Sequence, residues 1–277
     1  MNILVTHLSP DLDALSSCWL IQRYLPGWED AEIKFVPAGS TYLSKGVDTD
    51  KSVIHVDTGL GLFDHHQTKN TTSATQLVFE FLSSKKCIPK KDIRAVERLV
   101  TFVTGEDHFQ LASYPEASLD RYDLTLGRII EGLKASCIST SSLIPLVYQL
   151  IEASLTILRL KVLAETEVEK GYRCTSSWGK TLIMDTGSSE ALSLAIRMGY
   201  QLVVKRDPHT GAYRIKAHPK HLVSLKKLLD EIKKHDTIGS WYLHPSGKML
   251  LNATANNPNL IPSPLPLKNL IEIIRSL

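Results

Sequence analysis

Two short apolar, β-branched runs, residues 2–6 (NILVT) and 51–56 (KSVIHV), lead directly into metal-binding side chains. His7 follows the first and Asp57 the second. Runs of this length and composition suit buried strands. Between them, residues 11–23 carry Leu12, Leu15, Trp19, Leu20 and Ile21 near one helical face, and Pro10 with Asp11 suits a helix start. Residues 33–37 read as another strand. Strand, helix, strand and strand in this order predict an α/β domain with a mostly parallel sheet.

Farther along, residues 74–84, 90–106 and 124–135 read as helices. Residues 141–170 give a long helical pattern with Glu165, Glu167 and Glu169 toward its end. Residues 171–180 break that pattern and are read as a linker. The expected layout is therefore a metal-binding domain over 1–170 and a smaller α/β domain over 181–277. In the latter, 181–185 reads as a strand and 189–198 as a helix. Residues 201–206 and 212–217 form a hairpin around Pro208-His209-Thr210-Gly211. A helix over 222–233, short strands at 241–243 and 249–252, a proline-rich stretch at 258–266 and a helix at 267–276 complete the reading. The last helix, LKNLIEIIRSL, has an apolar face for the core or for a homodimer.

Composition narrows the class. The 277 residues are 43% hydrophobic and 22% charged, which argues against disorder, fibre or repeat array. A net charge of +3 decides nothing about nucleic acid, although residues 1–66 are acidic in patches and 201–235 are rich in Lys, Arg and His. Cys18, Cys87, Cys137 and Cys174 form no C-x-x-C pair and suit reduced thiols, with Cys18 inside an apolar helical pattern. The opening MNILVTHLSP lacks a basic region and a long apolar core, so no signal peptide is expected. No membrane span of roughly 20 apolar residues is expected either, and the expected location is the cytoplasm.

Three groups of ligand-type residues fall at the ends of expected strands: His7, Asp11 and Asp13; Asp57; and Asp64, His65 and His66. Each alone has an ordinary role. An Asp-x-Asp at a helix start caps the helix, and Asp57 before Gly59 suits a turn. Together they converge on the carboxyl edge of a parallel sheet, where ligands bind. Carboxylates mixed with imidazoles suit Mn²⁺, Mg²⁺, Fe²⁺ or Co²⁺. Six or seven candidates exceed what one ion needs and point to two ions, the arrangement that serves phosphoester hydrolysis.

These residues resemble the DHH phosphoesterase superfamily. THLSPDLDALSS (6–17) is similar to its first motif, VDTG (56–59) to its second and FDHHQ (63–67) to its third. The resemblance implies a hydrolase with a two-metal-activated water and a smaller C-terminal domain that binds substrate. It implies that His7, Asp11 and Asp57 hold one ion and Asp13, Asp57 and His65 the other, with manganese the expected metal and magnesium or cobalt as alternatives. His66 would contact substrate phosphate or orient the site, and Asp64 would support the neighbouring histidine. TGEDHFQ (104–110) is the candidate for a fourth motif, with Asp107 as ligand and Glu106 as the alternative. It departs from the commoner order, in which the acid precedes Thr-Gly. Asp185, in Met184-Asp185-Thr186-Gly187, fits that order but falls in the second domain and reads as a strand-ending turn.

In the second domain, Lys205, Arg206, Arg214 and Lys216 lie on the expected hairpin and are candidates to clamp an anion. His244 and Lys248, in a loose match to a Gly-rich family motif, are further phosphate-contact candidates. Trp241 and Tyr242 are candidates to stack on a base, with core packing the commoner role. The expected activity is hydrolysis of a phosphoester in a nucleotide or short single-stranded oligonucleotide. A pyrophosphatase or small-anhydride hydrolase is the second reading, and a non-catalytic nucleotide-binding regulator the third.

Overall fold

The computed structural model describes residues 1–277 except Cys137, His221 and residues 254–258. The expectations for Cys137 and for the first residue of the proline-rich stretch lie outside the described residues. The chain divides into two compact units, Met1–Arg159 and Leu160–Leu277.

The first unit is built on three parallel strands, β1 (Ile3–His7), β2 (Glu32–Val36) and β3 (Val53–His55), in the order β2-β1-β3. The central strand buries Leu4 and Val5 completely. Helix α1 (Leu12–Tyr24) follows β1 at once. Asp11 is its N-cap, and the Asp11 carboxylate accepts from the Ala14 amide at 3.0 Å. Eleven of its thirteen residues are buried, because α2 (Ala74–Ser84) and α3 (Ile93–Asp107) pack against it. Helix α4 (Leu126–Ala135) follows, and then α5 (Thr140–Lys170), within which the division between the units falls.

Helix α5 corrects one expectation. It is long and apolar enough to cross a membrane by length and composition alone. Yet Leu143, Val147, Ile151 and Leu155, spaced by four, are at most 3% exposed and form a core-facing stripe. Polar pairs fix the same helix to the first unit. Glu152 meets Arg23 at 2.9 Å, the Tyr148 hydroxyl donates to Gln22 at 2.8 Å, and Arg159 grips Asp92 with two bonds of 2.8 and 2.9 Å.

The second unit holds a six-stranded mixed sheet: β4 (Tyr172–Ser176), β5 (Gly179–Asp185), β6 (Leu202–Arg206), β7 (Tyr213–Ala217), β8 (Trp241–Leu243) and β9 (Met249–Asn252), in the order β4-β5-β6-β7-β9-β8. Residues 171–180, read as a linker, instead form β4 and the start of β5, paired antiparallel. Helix α6 (Ser189–Arg197) connects the parallel pair β5 and β6. Strand alternation then sorts the core. Leu182, Met184 and Val203 face Ala191, Leu192 and Ala195 of α6. Leu202, Val204, Ile215 and Leu250 face the other way, onto α7 (Lys226–His235) and α8 (Leu267–Ser276).

Candidate metal centre

The carboxyl ends of β1 and β3 bring the ligand-type residues together. His7 closes β1, and Asp57 lies two residues beyond β3 with a left-handed backbone (φ 54°). The chain then turns through Gly59 (φ 80°) and Leu60 (φ 57°). It doubles back so that the Asp57 amide donates to the Phe63 carbonyl at 2.9 Å. That turn sets His65 and His66 beside Asp57. Asp107 arrives from the last residue of α3.

Around Asp57 the distances are short. Its Oδ2 lies 3.2 Å from His7 Nε2, and its Oδ1 lies 3.4 Å from His65 Nε2 and 3.8 Å from His66 Nδ1. His65 Nε2 is also 3.6 Å from Asp107 and 3.9 Å from Asp13. Three overlapping groups result: His7, Asp11 and Asp57; Asp57, His65 and His66; and His65, Asp107 and His108. Within each, the ligand atoms lie within 4.8 Å of one another.

The donor set fits a divalent cation. Asp57 Oδ1 and His65 Nε2 are buried and make no hydrogen bond, so two strong ligand atoms point into one another's vicinity without a partner. Among the described residues, no Lys or Arg nitrogen pairs with Asp11, Asp13, Asp57 or Asp107. Four carboxylates crowded without a cation repel one another, and the protonation preferences record this. Burial, with Asp57 adding, pushes the Asp13 carboxyl up. Burial also raises Asp107, with Asp11 and Asp57 adding to it against the pull of His65. The hydrogen bond to Asp57 raises His7. A divalent ion in the cluster would reverse each of these carboxylate shifts.

Asp13 has a second set of partners. Its two oxygens accept the amides of Ala74 and Thr75 at 2.8 and 2.9 Å, at the start of α2. Asp64 is engaged on all sides as well: it accepts the Leu60 amide at 2.7 Å, the His66 amide at 3.1 Å and His66 Nδ1 at 2.7 Å. Burial opposes ionisation of Asp64, but these bonds outweigh it and hold the carboxyl low, while the same contact raises His66. Of the two acids in the fourth motif, Asp107 stands within the cluster. Glu106 turns instead to the Thr125 hydroxyl at 3.2 Å.

No family model and no curated protein matches this chain. Among solved structures it is similar to a protein of Methanococcus jannaschii described as a family II inorganic pyrophosphatase. The two are 13% identical, the alignment covers 98% of this chain and 100% of the other, and the TM-score is 0.22. A score that low gives the likeness no weight for fold or activity, so the site stands on its own residues.

His108 escaped the sequence reading. It adjoins Asp107, and an Asp-His pair at a helix end was the available signal. Its Nε2 donates to the Thr72 carbonyl at 2.8 Å. In the second unit, Lys205, Arg214 and Lys216 line one cavity of about 420 Å³. The strand register explains this, because Lys205 pairs with Arg214 and Lys216 lies two residues on, on the same face. Lys205 is 5% exposed and donates to the Gly187 carbonyl at 2.8 Å, and burial lowers its pKa. Arg206 points to the opposite face and pairs with Asp185 at 3.3 Å. His244 bonds Ser246 at 2.9 Å, and Lys248 donates to the Val223 carbonyl at 3.2 Å. Neither lines that cavity. Trp241 stacks on Tyr213 at 5.8 Å and donates to Asp236, a core role, whereas Tyr242 is exposed.

Proposed function

We propose that this chain is a divalent-metal-dependent phosphoester hydrolase that acts, in the cytoplasm, on a nucleotide or short single-stranded oligonucleotide. The observation that carries the reading is the pair of buried, unbonded ligand atoms, Asp57 Oδ1 and His65 Nε2, inside a four-carboxylate cluster. His7, Asp11 and Asp57 would hold one ion, and Asp13, Asp57 and His65 the other, with Asp107 shared. Bound divalent cations supply Lewis acidity toward phosphoryl oxygens and make water acidic enough to attack near neutral pH. Manganese is the proposed metal, with magnesium or cobalt able to use the same oxygen and nitrogen ligands.

The chain's own residues do the rest. Asp64 fixes His66 through Nδ1, which leaves Nε2 as the free edge of a ring whose side chain is 60% exposed. Because Asp64 also favours the protonated ring, His66 can donate to a phosphoryl or leaving-group oxygen. A cavity of about 400 Å³ lies over His7, Asp11, Asp57, His66 and Asp107, with Ala38, Gly39 and Leu60 on its rim. The small residues Ala38 and Gly39 leave room for a phosphoryl group. In the second unit, Lys205, Arg214 and Lys216 are proposed to bind anionic oxygens.

Elemental analysis together with hydrolysis of a chromogenic phosphodiester in Mn²⁺ tests this, on the native protein and on Asp57→Asn. About two ions per chain are expected from the ligand count, with activity lost in the variant. A folded native protein that binds no metal and hydrolyses neither diesters nor pyrophosphate overturns the reading. Turnover of pyrophosphate alone would select the anhydride hydrolase, and nucleotide binding without turnover the regulator.

A further inference from the structure

We propose that Phe109 is a stacking platform for a planar base beside the metal cluster, so that the substrate carries a nucleobase rather than phosphate alone. This rests on the hydrolase reading for the position of the reacting phosphate, but not for the platform itself. Three observations on the first unit lead to it. Phe109 is 72% exposed, although it follows Asp107 by only two residues. Its backbone is left-handed (φ 51°, ψ 34°), a conformation that favours Gly or Asn and is an outlier for a bulky side chain. The surroundings hold it there: its amide donates to the Glu106 carbonyl at 3.0 Å, and its own carbonyl accepts from the Ala112 amide at 3.1 Å. Strain kept in place next to a reactive cluster is a mark of function.

The third observation is the cavity that Phe109 borders. It has a volume of about 260 Å³, and Asp11, Asp13 and Asp107 lie along it. Leu12 and Leu111 line it with Phe109, and the charged side chains of Glu106, Arg128 and Glu131 complete the lining. Gly127 also lines it, and a Cβ there would come to 2.5 Å from Glu106 Oε2. The apolar side chains of Leu12, Phe109 and Leu111 offer nothing to pyrophosphate, which is charged over its whole surface. A flat ring attached to a phosphoester matches it: the ring would cover Phe109 and the leucines, and the phosphate would lie toward Asp11, Asp13 and Asp107, the residues that would hold the cations. Aromatic faces bind bases with little sequence preference, so the platform selects a class of ligand rather than one base.

Phe109→Gly is the variant to make, because glycine suits the left-handed backbone and removes only the ring. Its melting temperature should not fall below that of the native protein. The first measurement is binding of adenosine, which has no phosphate, by ligand-observed NMR without metal, with ribose as the control. Adenosine should bind the native protein and lose that binding in the variant, and ribose should bind neither. The second is hydrolysis in Mn²⁺ of a nucleoside 4-nitrophenyl phosphate against methyl 4-nitrophenyl phosphate. KM for the nucleoside ester should rise roughly tenfold or more in the variant relative to that for the methyl ester. Equal effects on both esters, or no adenosine binding to the native protein, overturn the proposal. Adenosine binding that depends on Phe109 in a protein without esterase activity upholds the platform and refutes the hydrolase reading.

Discussion

Asp13 and Thr75, sixty-two positions apart, hold one another twice: the Asp13 carboxylate accepts the Thr75 amide at 2.9 Å, and the Thr75 hydroxyl donates to the Asp13 carbonyl at 3.0 Å. One acid thus stitches the start of α2 to the start of α1 while lying 3.9 Å from His65. Two effects of removing it oppose each other. Relief of repulsion with Asp57 favours the variant, and two buried amides left without an acceptor disfavour it. Unsatisfied buried amides cost about 1–3 kcal/mol each, more than the screened repulsion. Asp13→Ala should therefore lower the metal-free unfolding free energy by about 2–4 kcal/mol, read from urea midpoints. A metal-free variant as stable as the native chain would make Asp13 a ligand alone.

Metal should stabilise the fold through Asp57. A ligand at a hundred times its Kd adds about 2.7 kcal/mol to the unfolding free energy. For a chain of this size that is a rise of several degrees in Tm. Asp57→Asn is the discriminating variant, because asparagine tolerates the left-handed backbone at this position. Its metal-free melting point should stay near the native one, and added Mn²⁺ should no longer raise it. A full Mn²⁺ shift in Asp57→Asn would remove Asp57 from the centre.

His66 and Asp64 should behave as one unit. Asp64 is 2% exposed and bonds the ring at 2.7 Å, so its work on a reaction passes through the histidine. Losing a group that orients a site residue costs about tenfold to a hundredfold in activity. Asp64→Asn should lower kcat in that range in a native background. In a His66→Ala background it should change kcat little further, the non-additive result expected of coupled residues. Two independent, additive losses would mean that Asp64 acts on its own.

Much of the first unit was readable because its signals are local. β1 and α1 follow from a β-branched run and a helical period, and the three ligand groups lie within sixty residues. His65 and His66 meet Asp57 only because of a tight turn through three left-handed residues, and no pattern of hydrophobic spacing encodes that. Asp13 read as a ligand from its place at the helix start, whereas its further role as acceptor for α2 depends on a contact sixty-two residues away. In the second unit the hairpin of β6 and β7 was visible from its turn. The pairing of β9 with β7 was not, because antiparallel neighbours distant in sequence leave no local trace. β4 was missed for a similar reason: its outward residues are exposed and polar, so the segment read as a linker.

Acid should weaken the second unit through Asp236. This carboxylate is 3% exposed and gathers four donors: the Ile238 amide at 3.0 Å, the Gly239 amide at 2.7 Å, the Trp241 indole at 2.7 Å and the Ser263 hydroxyl. Burial alone would raise the carboxyl. The bonds, led by that from Ser263, outweigh it and hold the folded-state value below the usual range. A group with a depressed folded value binds fewer protons when folded than when unfolded, so stability rises with pH through that interval. The contribution is complete above the unfolded carboxylate value of about 3.9. It is lost as the pH falls through the folded value. Urea midpoints taken from pH 7 down to 3 should therefore drop more steeply in the native protein than in Asp236→Asn. The variant, with a misfitted NH₂ among donors, should start about 2–4 kcal/mol lower at pH 7. Parallel curves for the two proteins would show that acid acts through other carboxylates.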